Sequence, residues 1–348
     1  MNVSFPEQSN SNTLSDKIKY ILVTGATGAV GPRVVNAFHD AGYAVRALSI
    51  DPPAFGVWPD DVETVVGDVT DQQAVDAAMQ DVDAVVHMAA LLHIINPASD
   101  LQKEYERVNI GGTANVVSAA LRADVRRVVF FSTIAVYGPS YGRILTEYTP
   151  PSPDTFYART KLAAEGIVLE AAAKDGNQIG VVLRLGAVYG TRIKGNYNRL
   201  MQSLAKGRFI PIGNGYNRRT LVYDKDVAQA AVLAAEHDDA SGKIFNVSDG
   251  HFHTINKIIA AICFALGRKT PRFKLPVAPG RFIAGLAEYG ARVSGCRSPV
   301  TRETIDKYTE DVAVDGRRIQ NELAFLPGYD LSAGWTETVE NMRHEGRL

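Results

Sequence analysis

The chain has 348 residues, 46% of them hydrophobic and 22% charged, with a formal net charge of −1. That is enough apolar material to bury a substantial core in one large domain or two unequal lobes. The near-neutral balance gives no global electrostatic reason to bind nucleic acid, and it leaves the capture of a small anionic ligand to a local cluster of arginines. Two cysteines, Cys263 and Cys296, are too few for a disulfide framework and favour a reducing compartment, so a cytoplasmic protein is expected.

The first segment, "MNVSFPEQSNSNTLSDK", has no apolar core between a basic start and a small-residue cleavage site. Residues 1–17 are therefore expected to form a flexible extension rather than a signal peptide or an anchor. "KYILVTG" (19–25) then reads as a buried strand ending in a glycine-rich turn, followed by a helix through "VVNAFHDAG". The alternation recurs with "AVRALS" (44–49), "VETVVG" (62–67), "DAVVHMA" (83–89), "RRVVFFS" (126–132) and "IGVVLRL" (179–185), with helical stretches between most of them. Near-continuous Val, Ile and Leu runs suit strands buried on both faces of a parallel sheet. Two helix starts carry capping-box spacing, Thr70 with Gln73 and Ser99 with Gln102.

The fold expected from this pattern is α/β, a doubly wound parallel sheet of the Rossmann type. The alternation breaks up after residue 186, returning once as "LVYDKDVAQAAVLAAE" and "KIFNVSD". Asp224 and Asp226 in that stretch read as helix caps. Residues 18–186 plus 220–250 are assigned to the dinucleotide-binding domain, and 187–219 plus 251–348 to a smaller C-terminal substrate-binding lobe at the carboxyl ends of the strands. Within that lobe, "LPVAPGRFIAGLAEYGARVSG" (275–295) is interrupted by Pro279, Arg281, Glu288 and Arg292 and cannot serve as a span. It reads as an amphipathic helix packed on the protein, with peripheral membrane contact as the second reading.

"TGATGAVG" places Gly25, Gly28 and Gly31 between the first strand and the first helix, where glycines let backbone approach a pyrophosphate at a helix N-terminus. Ser49 ends the second strand, where an acidic side chain selects NAD and an arginine favours NADP. Asp51 could reach the ribose, while Arg33 or Arg46 could favour a phosphate. Asp68 follows the third strand at a position suited to the adenine. His87 and His93 lack an HExxH pattern, and "HFH" (251–253) lacks accompanying ligands, so no metal site is expected.

In their order, "TGATGAVG", "GDVTD", "HMAA" (87–90), "NIGGT" (109–113), "FFSTIAVYG" (130–138), "YARTK" (157–161) and "RRTLVYDKDVAQA" (218–230) resemble the extended short-chain dehydrogenases/reductases. The branch most similar is the NAD-dependent epimerase/dehydratase family, especially UDP-hexose 4-epimerases and nucleotide-sugar 4-ketoreductases. The resemblance implies that Thr27, Ala29, Val30, Val69, Met88, Ala89, Ala90 and Asn109 join the cofactor site. It also implies a catalytic trio of Thr133, Tyr157 and Lys161. Residues i and i+4 share a helix face, so Lys161, helped by the positive nicotinamide ring, is expected to lower the pKa of Tyr157 from its ordinary ~10 and make it the proton acceptor.

The resemblance further implies Asn196, Asn198 and Arg219 as contacts of a UDP-linked substrate, and a homodimer formed through helices around 99–121 and 155–174. Epimerisation through a transient 4-keto sugar is the expected reaction. One-way reduction by NAD(P)H, or action on a sterol-like or other hydroxyl substrate, is the alternative. The pattern is broken where Ala187 stands for the family's substrate-contacting asparagine, and where "TIDKYTEDVAVD" offers no second phosphate arginine.

Overall fold

Val, Ile and Leu dominate the central runs because each must be dry on both faces, and the strands they form are almost wholly buried. The computed structural model describes residues 18–92, 99–193, 195–294, 298 and 300–348. The N-terminal extension, His93 and Cys296 lie outside the described residues, as does the side chain of Ser99. Seven strands form one parallel sheet: β1 Tyr20–Thr24, β2 Ala44–Ser49, β3 Glu63–Val66, β4 Ala84–His87, β5 Arg127–Thr133, β6 Gly180–Leu185 and β7 Ile244–Val247. Their order is β7-β6-β5-β4-β1-β2-β3, with every neighbour parallel. The sheet is doubly wound, as expected, and extended by the returning strand β7.

Helices cover both faces. On one side lie α1 (Gly31–Asp40), α7 (Asp224–Glu236) and α11 (Arg317–Leu323), which contribute Val34, Phe38, Val227, Ala231, Ile319 and Leu323 to one core. On the other lie α2 (Gln72–Ala78), α4 (Gly112–Arg122) and α5 (Phe156–Leu169), with Val75, Val116, Ala164 and Val168. Between them in sequence, α3 (Ser99–Tyr105) runs into a π-helical turn, Glu106–Gly111, which leads directly into α4.

Beyond the carboxyl ends of the strands, a second core gathers α6 (Asn196–Ala205), α8 (Ile255–Leu266) and α12 (Leu331–His344) around Tyr189, Met201, Ile258 and Trp335. Two further helices, α9 (Val277–Val293) and α10 (Arg302–Thr309), pack on each other beside it. The segment after residue 251 also sends α11 back onto the main sheet, where Ile319, Leu323 and Phe325 are buried in the first core.

Two helix starts differ from expectation. The N-cap of α2 is Asp71, not Thr70: Asp71 has extended backbone and its carboxylate accepts from the Gln73 N–H at 2.9 Å. The Thr70 hydroxyl is one residue too early and accepts from Arg107. At α7 the capping position falls on Tyr223, without a side-chain cap. Asp224 is instead the buried first helical residue, 3.7 Å from the Arg33 guanidinium, and Asp226 accepts from Gly328 N at 2.8 Å.

The C-terminal part of α5 is seated on the start of β6 at Gly180, where a Cβ would lie 1.9 Å from the backbone oxygen of Val168. A backbone oxygen inside a helix cannot yield cheaply, so Gly180→Ala must displace α5 from the sheet. The variant is expected to lose roughly 2–4 kcal/mol of stability in urea denaturation, the range of a serious core overpacking. An unchanged midpoint would mean that α5 is not anchored there.

Candidate active site

The glycine loop crosses from β1 to α1 under tight steric limits. Gly25 has φ +72° and a Cβ there would meet Ala89 backbone at 2.8 Å, while one on Gly31 would meet the Ala26 oxygen at 2.0 Å. Gly25 N and Ala26 N both donate to Leu48 O. The N-cap of α1, Val30, offers no side-chain cap, and no acidic residue stands in the first turn. A glycine cradle opening onto an uncapped, carboxylate-free helix start fits the pyrophosphate of a dinucleotide. Thr27, Ala29 and Val30 are half-buried along the same loop.

At the neighbouring strand ends, Ser49 is buried and donates to Asp51 O at 3.1 Å, and Asp51 is exposed. Asp68 Oδ1 accepts from Thr70 N at 2.9 Å, and Val69 is buried against α4. The two arginines that could have marked a 2′-phosphate are both engaged. Arg33 faces Asp224, and Arg46 pairs with Glu63 at 2.9 Å while donating to Ala78 O and Gln80 O. This arrangement suits an unphosphorylated ribose.

A buried polar relay ties the loops together. Thr113 Oγ1 donates to Asn109 O at 2.7 Å, so it must accept from His87 Nε2–H at 3.0 Å. His87 Nδ1 is then the acceptor of Thr24 Oγ1–H at 2.7 Å, and Thr24 Oγ1 in turn accepts from Met88 N and Ala89 N at 3.3 and 3.4 Å. Met88, Ala89 and Ala90 are thereby held half-buried over the glycine loop. Asn109, in the π-helical turn, accepts from Leu91 N at 2.8 Å and donates to Thr160 Oγ1 at 3.1 Å, joining this layer to α5. Its contacts are those of a brace.

Tyr157 and Lys161 stand one turn apart on α5. Lys161 is buried, with its ammonium 3.9 Å over the Phe130 ring and no carboxylate at ion-pair distance among the described residues. Burial lowers it to about 7, against the opposing pull of Glu165. Tyr157 is half-buried and its ring lies edge-on to Tyr105, with centroids 6.3 Å apart. Burial, then Tyr105, push its phenol up to about 12. In the protein by itself desolvation therefore dominates at Tyr157, and the lowering expected from Lys161 together with the nicotinamide charge is not present without the cofactor. Thr133 ends β5 half-buried. Its Oγ1 accepts from Ala135 N at 3.2 Å, which leaves its O–H as a donor.

Glu165, one turn beyond Lys161, is taken by Arg184 through Nε at 3.0 Å and Nη2 at 2.6 Å, and accepts from Ser132 as well. The pair is almost fully buried.

In the second lobe, Arg219 donates to the backbone oxygens of Lys307, Tyr308 and Glu310, and Arg218 is committed to Asp311 at 2.6 Å. Asn196 is the exposed first residue of α6. Asn198 lines a small gap with Tyr197, Trp335 and Thr338. Two residues passed over in the sequence, Tyr197 and Tyr308, lie near enough to Arg219 for its charge to lower their phenol pKa values, although burial raises both to about 12. They lie in stretches read for other residues, and only tertiary contact brings them and Tyr105 to notice. A separate cleft of about 600 Å³ lies around the amino ends of β5 and β6, beside Arg127 and Lys174, and includes none of the expected site residues. Of the expected non-ligand histidines, His253 is held by Asp249 at 2.6 Å.

The relay makes a prediction. The fold holds His87 neutral, chiefly by burial and then by the Lys161 charge, and its pKa falls from 6.5 to about 3. The unfolded chain takes up a proton in that window and the folded chain does not. Stability is therefore lost as pH drops from 6.5 toward 3, with a slope approaching ~1.4 kcal/mol per pH unit. His87→Gln keeps a donor and an acceptor and should flatten that part of the stability–pH curve. Parallel curves for variant and wild type would acquit His87.

Comparison with known proteins agrees with this geometry. The N-acetyl-alpha-D-glucosaminyl-diphospho-ditrans,octacis-undecaprenol 4-epimerase of Escherichia coli O157:H7 is 27% identical over 92% of this chain and 94% of its own length. The UDP-glucose 4-epimerase of Vibrio cholerae is 28% identical over 92% and 95%. Among solved structures, MoeE5 in complex with UDP-glucuronic acid and NAD superposes with a TM-score of 0.72 at 25% identity, over 93% of this chain and 99% of that one. The family model "NAD dependent epimerase/dehydratase family" matches residues 21–248, and the chain belongs to that family of NAD-dependent enzymes.

Proposed function

We propose that the protein is a nucleotide-sugar 4-epimerase, acting on a UDP-hexose through a transient 4-keto sugar with NAD retained throughout. The observation that carries this reading is the pairing of Tyr157 with a buried, carboxylate-free Lys161 on one face of α5, in a chain whose glycine loop fits a dinucleotide. In this reading Gly25, Thr27, Gly28, Ala29, Val30 and Gly31 hold the pyrophosphate, and Ser49 and Asp51 the adenosine ribose. Asp68 and Val69 flank the adenine. Met88, Ala89 and Ala90 wall the path toward the nicotinamide, with Asn109 as brace and Tyr157 and Lys161 at its far end.

When bound, the cofactor supplies a hydride acceptor that becomes the donor for the return step. Tyr157 takes the proton of the sugar's 4-hydroxyl and gives it back after the ketone has turned, while Thr133 donates a hydrogen bond to the same oxygen. The chain alone keeps the Tyr157 proton in place, so the base becomes competent only when added positive charge reaches the pocket. Arg219, fixed by three backbone oxygens, retains N–H groups for a diphosphate. Asn196 and Asn198 are further contacts in this reading. A sugar on a diphosphate is common to the substrates named for the two curated relatives, which favours a site built around that group. Homodimerisation through 99–121 and 155–174 is part of the same proposal.

Tyr157→Phe should lower turnover by ~10²–10⁴-fold, the usual worth of a positioned acid–base group, with NAD affinity nearly unchanged. Product analysis on a panel of UDP-hexoses reads this directly. A variant with full activity, or a wild type that consumes NAD(P)H stoichiometrically with a 4-keto sugar, would overturn the assignment. Arg219→Ala is expected to raise KM for the UDP-sugar by ~10-fold or more, the worth of a charged hydrogen bond. An unchanged KM would remove Arg219 from the diphosphate.

A further inference from the structure

Helix α9 is inverted relative to an ordinary surface helix. Its buried side is made of small residues: Ala284 is covered, and a Cβ on Gly280 would meet the Ile212, Leu275 and Ile305 side chains at 3.3–3.7 Å. Its large apolar residues point the other way, with Phe282 69%, Ile283 55%, Leu286 58% and Tyr289 70% exposed. At 100° per residue, Phe282, Leu286 and Tyr289 share one outward stripe, and the charged residues Arg281, Glu288 and Arg292 fall together on a flank. An amphipathic helix that turns its apolar side to water needs an occupant for that side.

The charge around the stripe says which. Between Gly267 and Arg302 the sequence carries eight Lys or Arg residues and one acidic residue, in a chain whose net charge is −1. Arg281 and Arg302 are paired, with Asp306 and Glu288. Arg268, Lys269, Arg272 and Arg292 are exposed, with no carboxylate at ion-pair distance among the described residues, and the exposed Phe273 lies beside Arg272. A second copy of this face would bring like charges together. An anionic lipid surface would meet both the apolar stripe and its basic margin. No helix among the described residues is long and apolar enough to cross a membrane, so the contact is one of a helix lying in the interface.

We propose that α9, with the basic segment preceding it, docks this protein on an anionic bilayer. The dock packs on α10, whose last turn supplies the oxygens that hold Arg219, so it adjoins the substrate lobe rather than the dinucleotide end. The inference does not depend on the proposed reaction.

Cosedimentation of the full chain with vesicles of phosphatidylcholine plus phosphatidylglycerol, against phosphatidylcholine alone, tests it. The protein should pellet with the anionic vesicles, and less so as salt rises. Phe282→Glu with Leu286→Glu should weaken partitioning by ~10-fold or more, and Arg272→Gln with Lys269→Gln should abolish the preference for anionic lipid. NAD binding by each variant checks that it is folded. Absence of wild-type binding at low salt, equal binding to both vesicles, or a dimer in gel filtration that the Phe282/Leu286 variant converts to monomer would each overturn the proposal, the last by assigning the face to a second copy.

Discussion

A buried lysine with no carboxylate at ion-pair distance among the described residues is the constraint on which the proposed site depends. The Lys161 ammonium rests on the Phe130 ring, deep enough that its charge is only marginally held. Glu165 stands one turn away, at the spacing at which opposite charges on a helix ordinarily pair. Arg184 prevents that pairing by taking both oxygens of Glu165, with Ser132 donating to the same carboxylate. The buried Glu165–Arg184 pair adds little net stability, since its desolvation offsets its attraction. Its consequence is local: Glu165 is satisfied elsewhere, and the Lys161 ammonium is left on the Phe130 ring without it.

The same helix connects the site to the fold. Thr160 joins α5 to Asn109 and through it to the loop after β4, while Gly180 seats the other end on β6. The Thr24–His87–Thr113 relay holds the glycine-loop side. Each contact is short-range, but together they fix the tyrosine, the lysine and the glycine cradle on one rigid layer, as a preorganised site requires. The second lobe is fixed differently. Arg219 is held by backbone oxygens of α10 and the residue after it, so the position of that arginine follows the packing of α10 and α9.

Much of this was legible in the sequence because the information is local. Strands buried on both faces are written as largely apolar runs, and the central strands β1, β4, β5 and β6 fall on such runs, whereas the edge strand β3 is mostly exposed. The glycines before α1 have to be glycines because backbone meets backbone there. Tertiary contact decided the rest. Thr70 and Asp71 are both good caps, and only backbone dihedrals choose between them. The i, i+4 spacing announced that Tyr157 and Lys161 share a face, but not that burial would raise the pKa of one and lower that of the other. Periodicity showed that α9 has an apolar side without showing that it faces outward. Tyr197 and Tyr308 fall inside stretches named for other residues and Tyr105 outside them, and Asn198 meets Trp335 across a small gap only because α12 packs there.

The central claim is that the chain alone keeps Tyr157 protonated and that cofactor charge converts it to a base. Spectrophotometric titration of the phenol, taken as the difference between wild type and Tyr157→Phe, measures this with and without NAD. The account predicts ionisation near pH 12 without NAD and a shift of several units toward neutrality in the complex. The same ionisation in both states would contradict it.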